Sequence, residues 1–293
     1  MPELPDLYLY IEALRDRVLG KTLRNVRIAN AFVLRSVDPP LRDIAGRQVI
    51  DLRLLGKRIV VGFEEGLFLV IHLMIVGRLR WRPPKGKVPG KLGLAFFDFD
   101  EGVLILTEAG STRRASIHLV RGEAAVHAMD RGGLDVVGCA VSDFAERLRQ
   151  ENHTVKRSLT DPRLFSGIGN AYSDEILHRA RLSPLLLTSR MSDAQVDGLH
   201  RATQDVLKEW IDRLRAQSKG EFPEKVTAFH EEMAVHGRFG KPCPDCGAPV
   251  QRIRYANNET NYCARCQTES RLLADRALSR LLKEDWPRTL DDE

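Results

Sequence analysis

Read by the spacing of its apolar positions, the chain changes character near its middle. Leu7, Tyr10, Ile11, Leu14 and Val18 recur at the interval of one helical face and Gly20 ends them, so residues 6–20 are predicted as a helix. Strand patterns follow. Val26 to Leu34 is rich in β-branched and aromatic residues, and Val49 to Leu54 partly alternates, as a half-buried strand does. Arg58 to Phe63 and Leu67 to Leu73 flank Glu64-Glu65-Gly66 as a hairpin, and Leu94 to Phe99 turns through Asp100-Glu101-Gly102 into Val103 to Thr107. Short strands joined by tight acidic-glycine turns predict a β-sandwich ending near Gly133-Leu134-Asp135.

From about residue 140 the period becomes helical. Ser142 to Gln150 is expected to be capped by Ser142, Thr154 to Leu159 starts a second helix, and Ala171 to Ala180 a third, with Asn170 as its N-cap. Ser192 to Gln217 reads as one long amphipathic helix. A last helix is predicted over Ser270 to Lys283, with Leu272, Leu273, Leu278, Leu281 and Leu282 on one stripe and Arg271, Arg276, Arg280 and Lys283 on the other. That stripe either docks on the body or leaves the basic face for DNA or a partner.

At 293 residues and 43% hydrophobic content the chain can bury a substantial core. Its formal net charge of +5 favours a polyanionic partner over an acidic small molecule, although a surplus of surface Lys and Arg has the same effect. No apolar run approaches a membrane span and no signal peptide opens the chain, so the expectation is a soluble protein, cytoplasmic or nucleoid-associated. Cys243-Pro-Asp-Cys246 and Cys263-Ala-Arg-Cys266, sixteen residues apart, have the spacing of a four-thiolate zinc ribbon; a redox pair is the alternative. With all four ligands from protein, such a zinc has no open position and no catalytic role. Cys139 stands apart as a small buried residue.

Four further features carry candidate chemistry. The chain opens Met1-Pro2-Glu3-Leu4-Pro5-Asp6, and removal of Met1 in front of a small residue would bare the secondary amine of Pro2. A terminal amine is far less protonated near pH 7 than a lysine and can attack a sugar carbon to form an imine, with Glu3 moving protons. Otherwise Pro2 only sets the first turn. Lys57, between Gly56 and Arg58, either points its ammonium into a cleft or ends a strand in solvent; His72, inside the apolar run Leu67 to Val76, reads as a core histidine with a satisfied hydrogen bond. Gly167-Ile168-Gly169-Asn170 ahead of a helix offers free N–H groups and the positive dipole end, a ready phosphate site.

In this order, Pro2-Glu3-Leu4-Pro5, Lys57 after a glycine, His72-Leu73, Gly167-Ile168-Gly169-Asn170 and a terminal four-cysteine ribbon resemble the formamidopyrimidine-DNA glycosylase and endonuclease VIII family of base-excision repair enzymes. Gly237-Arg238 and Cys266-Gln267 also fit, and the likeness spans Met1 to Gln267. The resemblance implies an α+β protein: an N-terminal catalytic β-sandwich with a leading helix over residues 1–135, a helix–two-turn–helix domain over 136–237 and a zinc ribbon over 238–268, with 269–293 an extra helix and tail. It implies a DNA glycosylase with abasic-site lyase activity by β,δ-elimination. Pro2 would be the nucleophile at C1′, Glu3 the proton shuttle and Lys57 the contact to the phosphate beside the lesion. Lys156, Asn170 and His72 match other phosphate-binding positions. One structural zinc on Cys243, Cys246, Cys263 and Cys266, damaged DNA as partner, no organic cofactor and a bacterial monomer complete the expectation.

Several positions depart from the family pattern. Asn258 takes the place of the ribbon-tip arginine, followed by Glu259, and Ile75 or Met74 would fill the void left by a flipped base. The duplex wedge reads Arg113-Arg114-Ala115 without its aromatic, Asp6 stands where Glu is usual, and His236 replaces a common Tyr. Ser218 to Lys225 occupies the place of a lesion-capping loop rich in Gly and Thr. A non-catalytic damage-binding relative, or a lyase for single-stranded, bulged or cross-linked DNA, are the alternative readings.

Overall fold

The computed structural model describes the chain except residues 85, 87–89, 91, 111, 225–229, 256–257, 276–279, 282, 284–286 and 291–293. It forms two compact units: Met1–Arg131 with Trp210–Thr227, and Gly132–Glu209 with Ala228–Glu293.

The first unit begins with helix α1 (Leu4–Val18), Pro5 sitting in the first turn, where its missing N–H is no loss. Eight strands follow: β1 (Asn25–Ile28), β2 (Val49–Leu55), β3 (Arg58–Phe63), β4 (Leu67–His72), β5 (Gly77–Arg82), β6 (Gly93–Phe99), β7 (Gly102–Glu108) and β8 (Ser116–Arg121), then the short helix α2 (Glu123–His127). They build two antiparallel four-stranded sheets, ordered β1-β6-β7-β5 and β2-β3-β4-β8. Alternate residues of both sheets, among them Ile59, Val61, Leu69, Ile71, Phe97, Leu104, Leu106 and Ile117, meet Leu7, Tyr10 and Leu14 of α1 in one core. The intervening Val60, Phe68 and Val70 pack with Val126 of α2 on the other face. β4 is therefore buried on both sides, which is why its sequence is continuously apolar rather than alternating.

β1 stops at Ile28, short of the predicted Leu34; Ala31–Val33 is a tight 3₁₀ turn in which Asn30 Oδ1 accepts the Phe32 N–H at 3.0 Å. By its packing Trp210–Thr227 groups with this unit, whereas the resemblance places it in the domain over residues 136–237. Phe222 enters the sandwich core, its ring 5.8 Å from that of Tyr10, Arg215 pairs with Glu12 at 2.7 Å, and Glu224 pairs with Arg80 and Arg82.

The second unit holds the paired two-residue strands β9 (Leu134–Asp135) and β10 (Phe165–Ser166), helices α3 (Val141–Arg149), α4 (Val155–Thr160), α5 (Asn170–Arg179) and most of α6 (Asp193–Ser218), the hairpin β11 (Val250–Tyr255) and β12 (Asn258–Cys263), and α7 (Ala264–Gln267). Two caps differ from expectation. Ala140, not Ser142, caps α3, the Ser142 hydroxyl instead reaching Asp143 at 3.3 Å; Gly169 caps α5, so Asn170 is its first helical residue. Ser270–Asp275 is not the start of a helix: Arg271 bridges Thr289 and the Leu272 N–H donates to Arg288 O at 2.8 Å. Most of the rest of that predicted helix lies outside the described residues.

Candidate functional site

Pro2, Glu3 and Asp6 are buried at the amino-terminal end of α1, with Glu3 2% and Asp6 3% exposed. Glu3 sits in extended backbone as the N-cap, and its N–H donates to Asp6 Oδ2 at 2.9 Å, satisfying one of the helix's orphan donors. Burial pushes the Asp6 carboxyl up to about 7; the Glu3 N–H opposes this and the Glu3 charge adds to it. The α-amine of Met1, the chain terminus in this structure, is held below its usual value, first by burial and then by Arg78 and Lys57, while Glu3 works the other way. Gly56, at φ +59, turns β2 into β3 and places Lys57 beside this group, where burial lowers the ammonium pKa and Glu3 again opposes. One carboxylate thus neighbours both the terminal amine and Lys57. Arg78 lies on β5, a strand the apolar pattern conceals behind the turn Leu73–Val76.

His72 ends β4 opposite Arg58 on β3 and Ser116 on β8. Burial drives its pKa down to about 4, reinforced by Arg58, Lys57, His118 and Arg131, so at neutral pH it is an uncharged imidazole amid cations. Arg58 is anchored by a bond to Met129 O at 3.0 Å. Ile75 stands 54% exposed in the β4–β5 turn, next to Met74 at φ +54. Arg113 is exposed, but Ala115 is only 3% exposed: the buried Glu108 carboxylate accepts the N–H groups of both Arg114 and Ala115 at 2.9–3.2 Å.

In the second unit Lys156 has spent its donors internally, on Asp174 Oδ1 at 2.5 Å, Ser173 Oγ at 2.9 Å and Asn170 O at 3.2 Å. Asn170 Nδ2 donates to Glu259 O at 2.8 Å. Asp174 Oδ2 accepts His236 Nδ1–H at 2.8 Å and the Asn261 N–H at 3.2 Å, and Glu175 accepts the N–H groups of Ala234, Val235 and His236 at 2.7–2.9 Å. Asn258, exposed, opens β12 opposite Tyr255. The Glu259 carboxylate beside it is paired with Arg254 at 3.0 Å and Arg252 at 3.6 Å, and Arg252 lies 4.0 Å from the centre of the Phe239 ring. The bonds from Asp174 and Glu175 to residues 234–236 and to Asn261 escape sequence reasoning because they join residues 59 to 87 apart.

The Sγ atoms of Cys243, Cys246, Cys263 and Cys266 converge within 4.8 Å of one another, with Cys243–Cys266 at 4.0 Å and Cys246–Cys263 at 3.4 Å. A tetrahedral zinc with Zn–S bonds near 2.3 Å needs sulfurs about 3.8 Å apart, so the donor set fits.

Comparison with known proteins finds three family models along the chain. The formamidopyrimidine-DNA glycosylase N-terminal domain matches residues 1–113, the formamidopyrimidine-DNA glycosylase H2TH domain residues 137–220, and the zinc finger found in FPG and IleRS residues 240–268. The formamidopyrimidine-DNA glycosylase of Thermus thermophilus is 32% identical over 278 residues, covering 92% of this chain and 99% of that one. That of Solibacter usitatus is 30% identical over 277 residues, covering 91% and 99%. The crystal structure of the T. thermophilus MutM (FPG) protein superposes with a TM-score of 0.77 at 30% identity, covering 91% of this chain and 98% of that one. A Lactococcus lactis Fpg in complex with abasic-site DNA superposes at 0.81 over 91% of this chain and 99% of that one; at 22% identity it speaks to the fold alone. The chain belongs to the formamidopyrimidine-DNA glycosylase family of DNA repair glycosylases, and its four cysteines form that family's structural zinc site.

Proposed function

We propose that the protein excises damaged bases from DNA and then cleaves the strand at the abasic site, with Pro2 as nucleophile. The observation that carries this reading is the buried group in which Glu3 neighbours both the chain-terminal amine and Lys57. With Met1 removed, the Pro2 nitrogen occupies a setting in which burial and two cations favour the unprotonated, nucleophilic amine. Attack on C1′ of a flipped nucleotide expels the base and opens the sugar to an iminium. Glu3, adjacent to that nitrogen, donates a proton to the ring oxygen and then relays protons as the 3′ and 5′ phosphates are eliminated. Lys57 and Arg78 hold the flanking phosphate. His72, uncharged at neutral pH, supplies one N–H donor there rather than a charge, and Arg58 and Arg131 supply the local positive field. Ile75 fills the space of the flipped base.

Damaged DNA is the partner in this reading, met by a monomer located with the bacterial nucleoid. In the second unit the half-buried Asn170 and the exposed Asn258 form the other phosphate-binding element, and Lys156 acts by fixing the start of α5 through Asp174 and Asn170. The burial of Ala115 favours a refinement: no side chain at this position wedges into the duplex, so single-stranded or bulged substrates are processed as well as paired ones. Incubation with single- and double-stranded oligonucleotides bearing one abasic site or one oxidised base tests both. Cleavage leaving phosphates at both ends supports the lyase; retained binding with no cleavage of any substrate would make the protein a damage binder. A duplex oxidised purine preferred by a wide margin would remove the refinement.

A further inference from the structure

Helix α5 meets the zinc ribbon along one face, at residues four apart: Asn170 bonds Glu259 O at 2.8 Å, Asp174 accepts the Asn261 N–H at 3.2 Å, and His178 Nε2 lies 3.3 Å from Cys243 Sγ. Four-residue spacing stacks side chains on a single helical face, so the three bonds form a ladder from the start of α5 down to the metal ligands. His178 is 4% exposed and Cys243 3% exposed, so this contact is shielded from water. A metal-bound thiolate has lone pairs and no proton. The nitrogen facing it must therefore be the donor, which fixes His178 as the Nε2–H tautomer.

We propose that His178 is a positioning residue for the structural zinc. Its Nε2–H donates to the Cys243 thiolate, withdraws charge from that sulfur, and ties the metal to the helix that begins with Asn170. Outer partners of this kind orient the ligands and typically change metal affinity by about 10- to 100-fold when removed. The Cys-x-x-Cys spacing does not reveal it, because His178 lies 65 residues before Cys243.

Two variants separate the hydrogen bond from packing: His178→Phe fills the volume without a donor, and His178→Gln restores an N–H. Zinc release from the intact protein, followed with a chromogenic chelator, is expected to be on the order of 10- to 100-fold faster in His178→Phe and close to wild type in His178→Gln. In the cobalt(II)-substituted proteins the thiolate-to-metal charge-transfer band is expected to move to lower energy only in His178→Phe, because an unbonded thiolate is richer in electrons. Wild-type release and an unmoved band in His178→Phe would overturn the proposal. Should that variant fail to fold, the wild-type protein loaded with cadmium-113 decides: a correlation between the His178 Nε2–H proton and the metal supports the bond, and an Nδ1–H tautomer with no correlation overturns it.

Discussion

The Asp6 carboxyl accepts the backbone N–H of Glu3 at 2.9 Å while buried with the Glu3 charge close by, a position that raises its pKa to about 7. The residue that orients Glu3 is therefore itself half-protonated at neutral pH. A carboxyl raised from its usual 3.8 stabilises the fold while protonated and loses that contribution as the pH rises from about 4 to about 7. Asp6→Asn mimics the protonated form. The stability of wild type relative to this variant is expected to fall by on the order of 3 kcal/mol between pH 4 and pH 7.5 in denaturant titrations. A difference independent of pH would contradict the assignment.

Burial lowers the Lys57 pKa, so holding an ammonium there costs folding free energy, a cost consistent with the phosphate-binding role proposed above. Lys57→Met is expected to leave the Tm unchanged or slightly higher while strand cleavage at an abasic site falls by about 100-fold, equivalent to about 2.7 kcal/mol in the transition state. A large loss of Tm would assign Lys57 to the fold instead.

The Glu259 carboxylate occupies Arg254 and Arg252 beside the ribbon tip. Glu259→Gln is expected to free one of these guanidiniums for phosphate, raising affinity for abasic DNA several-fold and steepening the salt dependence of log K by about one ion. An unchanged salt slope would mean that neither arginine reaches DNA.

Phe222 joins the sandwich core against Tyr10, with Arg17 5.6 Å over its ring. Phe222→Ala is expected to destabilise the first unit by about 3 kcal/mol, read by denaturant unfolding. A change below about 1 kcal/mol would mean that Trp210–Thr227 rests only loosely on that core.

The hairpins β3–β4 and β6–β7 were legible because Glu-Gly turns interrupt apolar runs, and the ribbon because thiolate spacing is rigidly tied to metal geometry. β5 was not, since Leu73, Met74, Ile75 and Val76 carry the apolar run through a turn, with Met74 and not glycine at positive φ. The stripe Leu272-Leu273 suggested a helix, yet Leu272 pairs with Arg288; an apolar pair fits either element until its partner is known. Pro2, Glu3 and Lys57 could be picked out in sequence, but Arg78, Arg58 and Arg131 come to the amine and to His72 only through strand pairing and packing. The same holds for Asp174 and Glu175, whose carboxyl oxygens accept backbone N–H groups 87 and 60 residues along the chain.

Borohydride trapping is the most direct test of the Pro2 nitrogen as nucleophile. Wild type and Pro2→Gly, each checked for bound zinc, are mixed with a duplex carrying one abasic site and reduced, so that any imine becomes a stable protein–DNA adduct. The expected result is an adduct with wild type, mapped by mass spectrometry to a chain beginning at Pro2, and a loss of adduct by at least about tenfold in Pro2→Gly. An equal adduct in both proteins would move the nucleophile elsewhere, and its absence from a wild type that binds the DNA would contradict the covalent mechanism.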